Sequence, residues 1–191
     1  MRFVKKIAIY GGTFDPIHHG HLILAREALE TFGFENVIFV PAAVSPFKES
    51  SVASAKTRLL MLRGAIEGES RFVVDDCELR RPVPSYTIDT IEEIRAREGN
   101  AEIYYLLGED NVPTLRNWHR FDELIKAVRF VVLDRTGRAP DHPYPSVHRR
   151  IDISATEIRK RVATGEPIRY FVPQAVEEII RHEKLYQEQA R

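Results

Sequence analysis

The chain has 191 residues, is 43% hydrophobic, and balances 28 basic against 28 acidic residues for a formal charge of zero. That length suits one sizeable domain with a real core, spanning 1–191, and the balanced charge supplies no global field for nucleic acid or an anionic membrane, so neither is expected as a partner. The single Cys77 excludes an internal disulfide framework and fits a reducing compartment, where an inert structural thiol is its expected role.

The first ten residues are cut by charges and then by Gly11, too short a run for a signal-peptide core, and no stretch approaches membrane-spanning length. A cytoplasmic setting is expected. Phe3 to Tyr10 reads as a buried strand, and Leu22 to Phe32 as a helix, because Leu22, Ala25, Leu29 and Phe32 recur at helical spacing. Between them lies Gly11-Gly12-Thr13-Phe14-Asp15-Pro16-Ile17-His18-His19-Gly20-His21, a strand-loop-helix joint. Gly11 and Gly12 allow unusual backbone conformations and close approach of a ligand, and Pro16 ends the strand. The helix behind the joint offers unpaired N–H groups and the positive end of its dipole, which favour an anion.

His18 and His21 stand three apart, so they share a face of the first turn, with Gly20 leaving the backbone bare between them. Beside a phosphate, two imidazoles tend toward the charged form. The joint therefore reads as a polyphosphate cradle. The same pair also suits zinc ligation or ordinary surface histidines, and at this point those readings stand beside it.

Downstream, Val37 to Val40 is a second buried strand ending at Pro41, which makes a βαβ unit with parallel strands. Val44 to Ser54 is a loop carrying Lys48, a reachable cation. Ala55 to Glu67 reads as a helix with Leu59, Leu62 and Ile66 inward, and Phe72 to Val74 as a short strand. Asp75 to Pro84 is expected to be a loop, followed by a helix from Thr87 to Glu98 with Ser85 or Thr87 near its N-cap. Ile103 to Leu107 is a strand ending in Gly108-Glu109-Asp110, Trp118 sits in the next loop or short helix, Phe121 to Ala127 is helical, and Phe130 to Leu133 is another strand.

Thr136 to Ser146 is the most loop-like segment. Ser154-Ala155-Thr156-Glu157 is a capping-box pattern opening a helix to Val162, and a last helix runs from Pro173 to about Tyr186. Alternating strands and helices predict an α/β fold: one open, doubly wound parallel sheet with helices on both faces and a small helical C-terminal portion over about 151–191. Ligands of such folds bind at strand carboxyl ends, where the candidate residues fall. No P-loop, Gly-x-Gly-x-x-Gly or Gly-x-Ser-x-Gly pattern is present.

Gly-x-Phe-Asp-Pro-x-His-x-Gly-His from Gly12 to His21 resembles the signature of the HxGH nucleotidyltransferases, and Ile153-Ser154-Ala155-Thr156-Glu157-Ile158-Arg159 resembles their Ile-Ser-x-Thr-x-x-Arg element. The resemblance implies a Rossmann-like fold and magnesium-assisted nucleotidyl transfer from a triphosphate. His18, His21 and Arg159 would then be catalytic. His18 and His21 would serve the phosphates around the α-phosphoryl, Arg159 would grip the β and γ phosphates, and Ser154 and Thr156 would add hydroxyl and helix N-terminal donors. Gly11, Gly12, Phe14, Gly20, Lys48, Gly108, Asp110 and Ile153 complete the implied ATP site. A phosphomonoester acceptor, with a second pKa of about 6, needs no general base.

Within that superfamily the chain is most similar to the bacterial nicotinate mononucleotide adenylyltransferases, over nearly its whole length. Ser85-Tyr86-Thr87-Ile88-Asp89-Thr90, Leu107-Gly108-Glu109-Asp110 with Trp118 beyond it, and histidine at position 18 carry the narrower resemblance. It implies that Thr87 and nearby backbone recognise the pyridine carboxylate, that Trp118 stacks on the ring, and that Gly12, Thr13, Lys48 and Tyr86 join them around nicotinate mononucleotide. Where the family often has Pro-x-His-Lys, this chain has Ser45-Pro46-Phe47-Lys48. The rival readings are the amide or another phosphomonoester as acceptor, or a non-catalytic nucleotide sensor. Assembly as a homo-oligomer is left open.

Overall fold

The computed structural model describes residues 4–43, 53–136 and 142–187. Strands β1 (Lys6–Gly12), β2 (Asn36–Pro41), β3 (Phe72–Val74), β4 (Glu102–Gly108), β5 (Arg129–Asp134) and β6 (Ser146–His148) form one sheet in the order β3-β2-β1-β4-β5-β6. Every pairing is parallel. The helices are α1 (His19–Phe32), α2 (Ala55–Ala65), α3 (Cys77–Arg80), α4 (Thr87–Glu98), α5 (Phe121–Ala127), α6 (Ala155–Ala163) and α7 (Gln174–His182), with a 3-10 helix at Glu109–Asn117.

The central strands are apolar almost without interruption because both of their faces are covered. Alternate residues divide between two cores. Ala8, Tyr10, Phe39, Leu106 and Leu133 pack with Leu24, Leu29, Met61, Ile158 and Val176 from α1, α2, α6 and α7. Ile7, Ile9, Val40, Leu107 and Val132 pack with Ile88, Ile91, Ile94 and Leu124 from α4 and α5. This is the doubly wound, Rossmann-like architecture that the pattern predicts. From β1 the chain builds outward through β2 and β3, then returns to the other side of β1 with β4. That reversal opens a crevice beyond the carboxyl ends of β1 and β4.

The element boundaries differ in instructive ways. The first helix starts at His19, before its apolar stripe begins, and ends at Gly33, whose φ of 65° supplies the left-handed cap. The segment expected to be a loop at Asp75 to Pro84 holds the single turn α3, started where the Cys77 amide donates to Asp75 Oδ1 at 2.9 Å, and it is too short to show a period. Likewise β6 has only three residues, at the end of a stretch read as loop. The inward face of α2 is Arg58, Met61 and Leu62, whereas the apolar spacing pointed to Leu59, Leu62 and Ile66. The final helix stops at His182, and the chain reaches Tyr186 through turns. Cys77 is buried, and burial pushes its thiol up to about 12, as suits an inert core residue. Among the described residues no helix is long and apolar enough to cross a membrane.

Candidate active site

A cavity of about 610 Å³ occupies the crevice, lined by the β1–α1 loop, the ends of β4 and β5, and the start of α6. Gly11, Gly12, Thr13, Phe14, His18, His21, Gly108, Asp110, Ser154, Thr156 and Arg159, all sequence candidates, line it together. Their glycines serve close packing. Neither Gly11 nor Gly12 has a positive φ. A Cβ on Gly11 would sit 2.2 Å from the Tyr105 hydroxyl, and one on Gly12 would sit 2.9 Å from the Phe14 ring. Phe14 itself adopts a φ of 50° and lies edge-on to Tyr10 and His21, so its left-handed backbone is held by aromatic packing on both sides.

The two histidines are built in by the helix end. His18 is the N-cap of α1 and His21 the third residue of the helix, and their rings stack with centroids 3.7 Å apart. The His18 amide donates to His21 Nδ1 at 3.3 Å, so a neutral His21 carries its ring proton on Nε2. His18 is 1% exposed, which removes the surface-histidine reading. Burial pushes its imidazole down to about 3, and the nearby Arg135 guanidinium adds to the push. The charged imidazole expected beside a phosphate is therefore not the state of the free protein, where a neutral ring is preferred. Its Nδ1 is buried with no hydrogen-bond partner among the described residues. Gly20 does not line the cavity but lies under this ring, where a Cβ would come within 3.0 Å of it.

Facing the histidines, Ser154 Oγ accepts from the Glu157 amide at 3.1 Å and so caps α6, as its pattern predicts. Arg159 Nη1 donates to the Asp15 carbonyl at 2.8 Å and Nη2 to Thr156 Oγ1 at 3.3 Å, using two of a guanidinium's five donors. Ile153 takes part through its carbonyl, which accepts from Arg135 Nη1 at 3.3 Å.

A second group of candidates lies on the other side of the sheet. Tyr86 is the N-cap of α4, and Thr87 its first residue, although neither Ser85 nor Thr87 caps with its hydroxyl. Arg81 ties the segment down, donating to Ser85 Oγ at 3.3 Å and to Glu93 Oε2 at 3.0 Å. The Tyr86 ring stacks on His119 at 4.1 Å. Trp118 is half-buried, edge-on to Tyr105 at 5.8 Å, and its buried Nε1 lacks a partner among the described residues. Tyr105 joins the two groups: its hydroxyl lies against Gly11 on β1 and its ring meets Trp118 edge-on. Lys48, with Ser45, Pro46 and Phe47, lies outside the described residues.

Residues 9–161 match the cytidylyltransferase-like family model. The chain is 43% identical over 185 residues to a protein of Geobacillus thermodenitrificans named "Probable nicotinate-nucleotide adenylyltransferase", covering 95% of this chain and 86% of that one. The chain belongs to the nicotinate-nucleotide adenylyltransferase family. A protein of the same name from Methylacidiphilum infernorum is 42% identical over 188 residues, covering 95% of this chain and 92% of its own length. The fold is shared with the nicotinic acid mononucleotide adenylyltransferase of Plasmodium falciparum, solved in complex with NaAD, at a TM-score of 0.79 and 20% identity, over 95% of this chain and 97% of that one.

For this adenylyltransferase, sequence reasoning missed Arg135, Tyr105 and Arg58. Arg135 directly follows β5, and its position at a strand's carboxyl end was the available signal. Tyr105 is hidden in an apolar run. Arg58 is 1% exposed, with Nη1 donating to the Thr13 carbonyl at 2.7 Å and Nη2 to the Ala42 carbonyl at 2.8 Å. Nothing in a helical pattern announces a buried arginine that serves loop carbonyls.

Proposed function

We propose that the protein transfers the adenylyl group of ATP to nicotinate mononucleotide, yielding nicotinate adenine dinucleotide and pyrophosphate, as an enzyme of NAD biosynthesis in the cytoplasm. The observation that carries this reading is one crevice-edge cavity gathering His18, His21, Ser154, Thr156 and Arg159, joined through Tyr105 to the aromatic face of Tyr86 and Trp118. In the reaction an oxygen of the acceptor phosphate attacks the α-phosphorus, the bond from that phosphorus to the α–β bridging oxygen breaks, and pyrophosphate leaves. The acceptor is already ionised, so the protein's task is alignment and charge neutralisation.

In this reading His18 and His21 donate ring N–H groups around the α-phosphoryl, and Arg159 and Arg135 neutralise the outgoing phosphates. Gly108 and Asp110 lie against the adenosine, Thr87 and the α4 N-terminus meet the pyridine carboxylate, and Trp118 stacks on the ring. Magnesium arrives with the triphosphate as part of the substrate. This fits a cavity whose lining is richer in arginine, imidazole, hydroxyl and main-chain groups than in carboxylates.

The test is pyrophosphate release from magnesium ATP with nicotinate mononucleotide, its amide and phosphopantetheine as rival acceptors. Strong preference for the acid is expected, and preference for another acceptor would overturn the pocket assignment. Trp118→Ala is expected to raise the Michaelis constant for the acceptor about three- to tenfold, the range of an aromatic stacking contact, with that for ATP unchanged. An unchanged acceptor constant would remove Trp118 from the site.

A further inference from the structure

The β1–α1 loop is held from behind by a part of the chain 171 positions away: the Tyr186 hydroxyl donates to Asp15 Oδ1 at 2.6 Å, in a buried contact. Beyond α7 the chain turns through Lys184 and Tyr186, with φ values of 50° and 61°. Bulky side chains rarely adopt this left-handed backbone, and it persists only where the surroundings determine it. The turn is secured by the Glu183 amide on the Ile179 carbonyl and the Leu185 amide on the Ile180 carbonyl, and it returns the Tyr186 ring to the first core. The Asp15 carboxylate also accepts from the Ala53 amide at 3.3 Å, and its main-chain carbonyl receives Arg159 Nη1 at 2.8 Å. Asp15 is thus fixed by its carboxylate on one side and orients a cavity-lining guanidinium with its carbonyl on the other.

We propose that Tyr186 is a positioning residue: by holding the Asp15 carboxylate it sets the Asp15 carbonyl, and through it the Arg159 guanidinium, in register with the phosphate cavity. The proposal rests on the reading of that cavity as the triphosphate site. Tyr186 does not line the cavity, and its hydroxyl reaches the site through its bond to Asp15. Burial and the Asp15 contact both push its phenol well above the ordinary range, which keeps the hydroxyl a donor at every working pH.

Tyr186→Phe deletes only the hydroxyl. Because misplaced groups cost alignment in the transition state, kcat is expected to fall about five- to tenfold, with the Michaelis constant for ATP within about twofold. Val176→Ala, which loosens α7, the helix before the turn that carries Tyr186, from a fully buried position outside the cavity lining, is the control for stability alone, and its kcat is expected to stay at the wild-type value. Wild-type kcat in Tyr186→Phe would overturn the proposal, as would an equal loss in Val176→Ala at a matched unfolding midpoint. The Asp15→Ala and Tyr186→Phe losses are expected to be strongly non-additive in the double variant, and simple additivity would also overturn it. If the wild type released no pyrophosphate with any acceptor, the reading of the reaction would fail first. The Arg159 Nε–H resonance still reports on the proposal in that case, since it is expected to shift in Tyr186→Phe, and an unmoved resonance counts against it.

Discussion

His18→Ala is expected to lower kcat by about two to three orders of magnitude, the usual loss when one preorganised donor to developing charge is removed, while the fold persists. The ring is 1% exposed, stacked on His21 and seated on Gly20, so no water replaces its N–H in the same geometry. Stability changes little because two effects oppose each other. Alanine forfeits the packing of the imidazole, but it also removes a buried nitrogen that lacks a partner among the described residues, and each is worth on the order of 1–3 kcal/mol. Turnover measured beside the unfolding midpoint checks this. Turnover and midpoint falling in proportion would make His18 a structural residue.

The same ring confers a pH signature. Its pKa falls from 6.5 in the unfolded chain to about 3 in the folded one, so the unfolded state binds the extra proton. Folding stability is unaffected by this group above pH 6.5. It declines as pH falls from 6.5 toward 3, by up to about 1.4 kcal/mol per pH unit. His18→Gln, which cannot take that proton, is expected to lose less stability than the wild type between pH 7 and pH 5. Equal losses would show that the ring is not held neutral.

The largest effect on stability is expected at Arg58. Arg58→Met keeps an apolar stem of similar reach and deletes only the charged head, yet it should cost about 3 kcal/mol in denaturant unfolding. The half-buried carbonyls of Thr13 and Ala42 lose their donor, and the buried Asp15 carboxylate loses a nearby opposing charge. Thr13 lines the cavity, so activity is expected to fall as well. A loss below about 1 kcal/mol would mean that water replaces the guanidinium freely.

Local pattern and residue chemistry were sufficient for much of this protein. Apolar runs such as Ile103 to Leu107 marked strands buried on both faces, the spacing of Ile88, Ile91 and Ile94 marked α4 to its ends, and the Ser154 cap opened α6 where its motif placed it. These features depend on neighbours a few residues apart, and a sequence displays such neighbours directly. The histidine joint and the Ser154 to Arg159 element were legible for the same reason, since each motif is contiguous.

What remained hidden depends on residues far apart in the chain. The elements α3 and β6 are shorter than any period that would reveal them. The inward turn of α2 is set by where Arg58 finds carbonyls, not by the spacing of leucines. Gly11 and Gly12 are small because Tyr105 and Phe14 lie against them, a reason no local rule contains. The neutral state of His18 follows from burial beside Arg135, and the fixing of Asp15 from Tyr186 at the other end of the chain. Sequence alone determined which polar groups the two motifs carry and which segments become strands and helices. The order of strands around β1, which brings the ends of β1, β4 and β5 together with α6, decided how those groups meet, because desolvation and hydrogen-bond geometry arise only once distant segments pack.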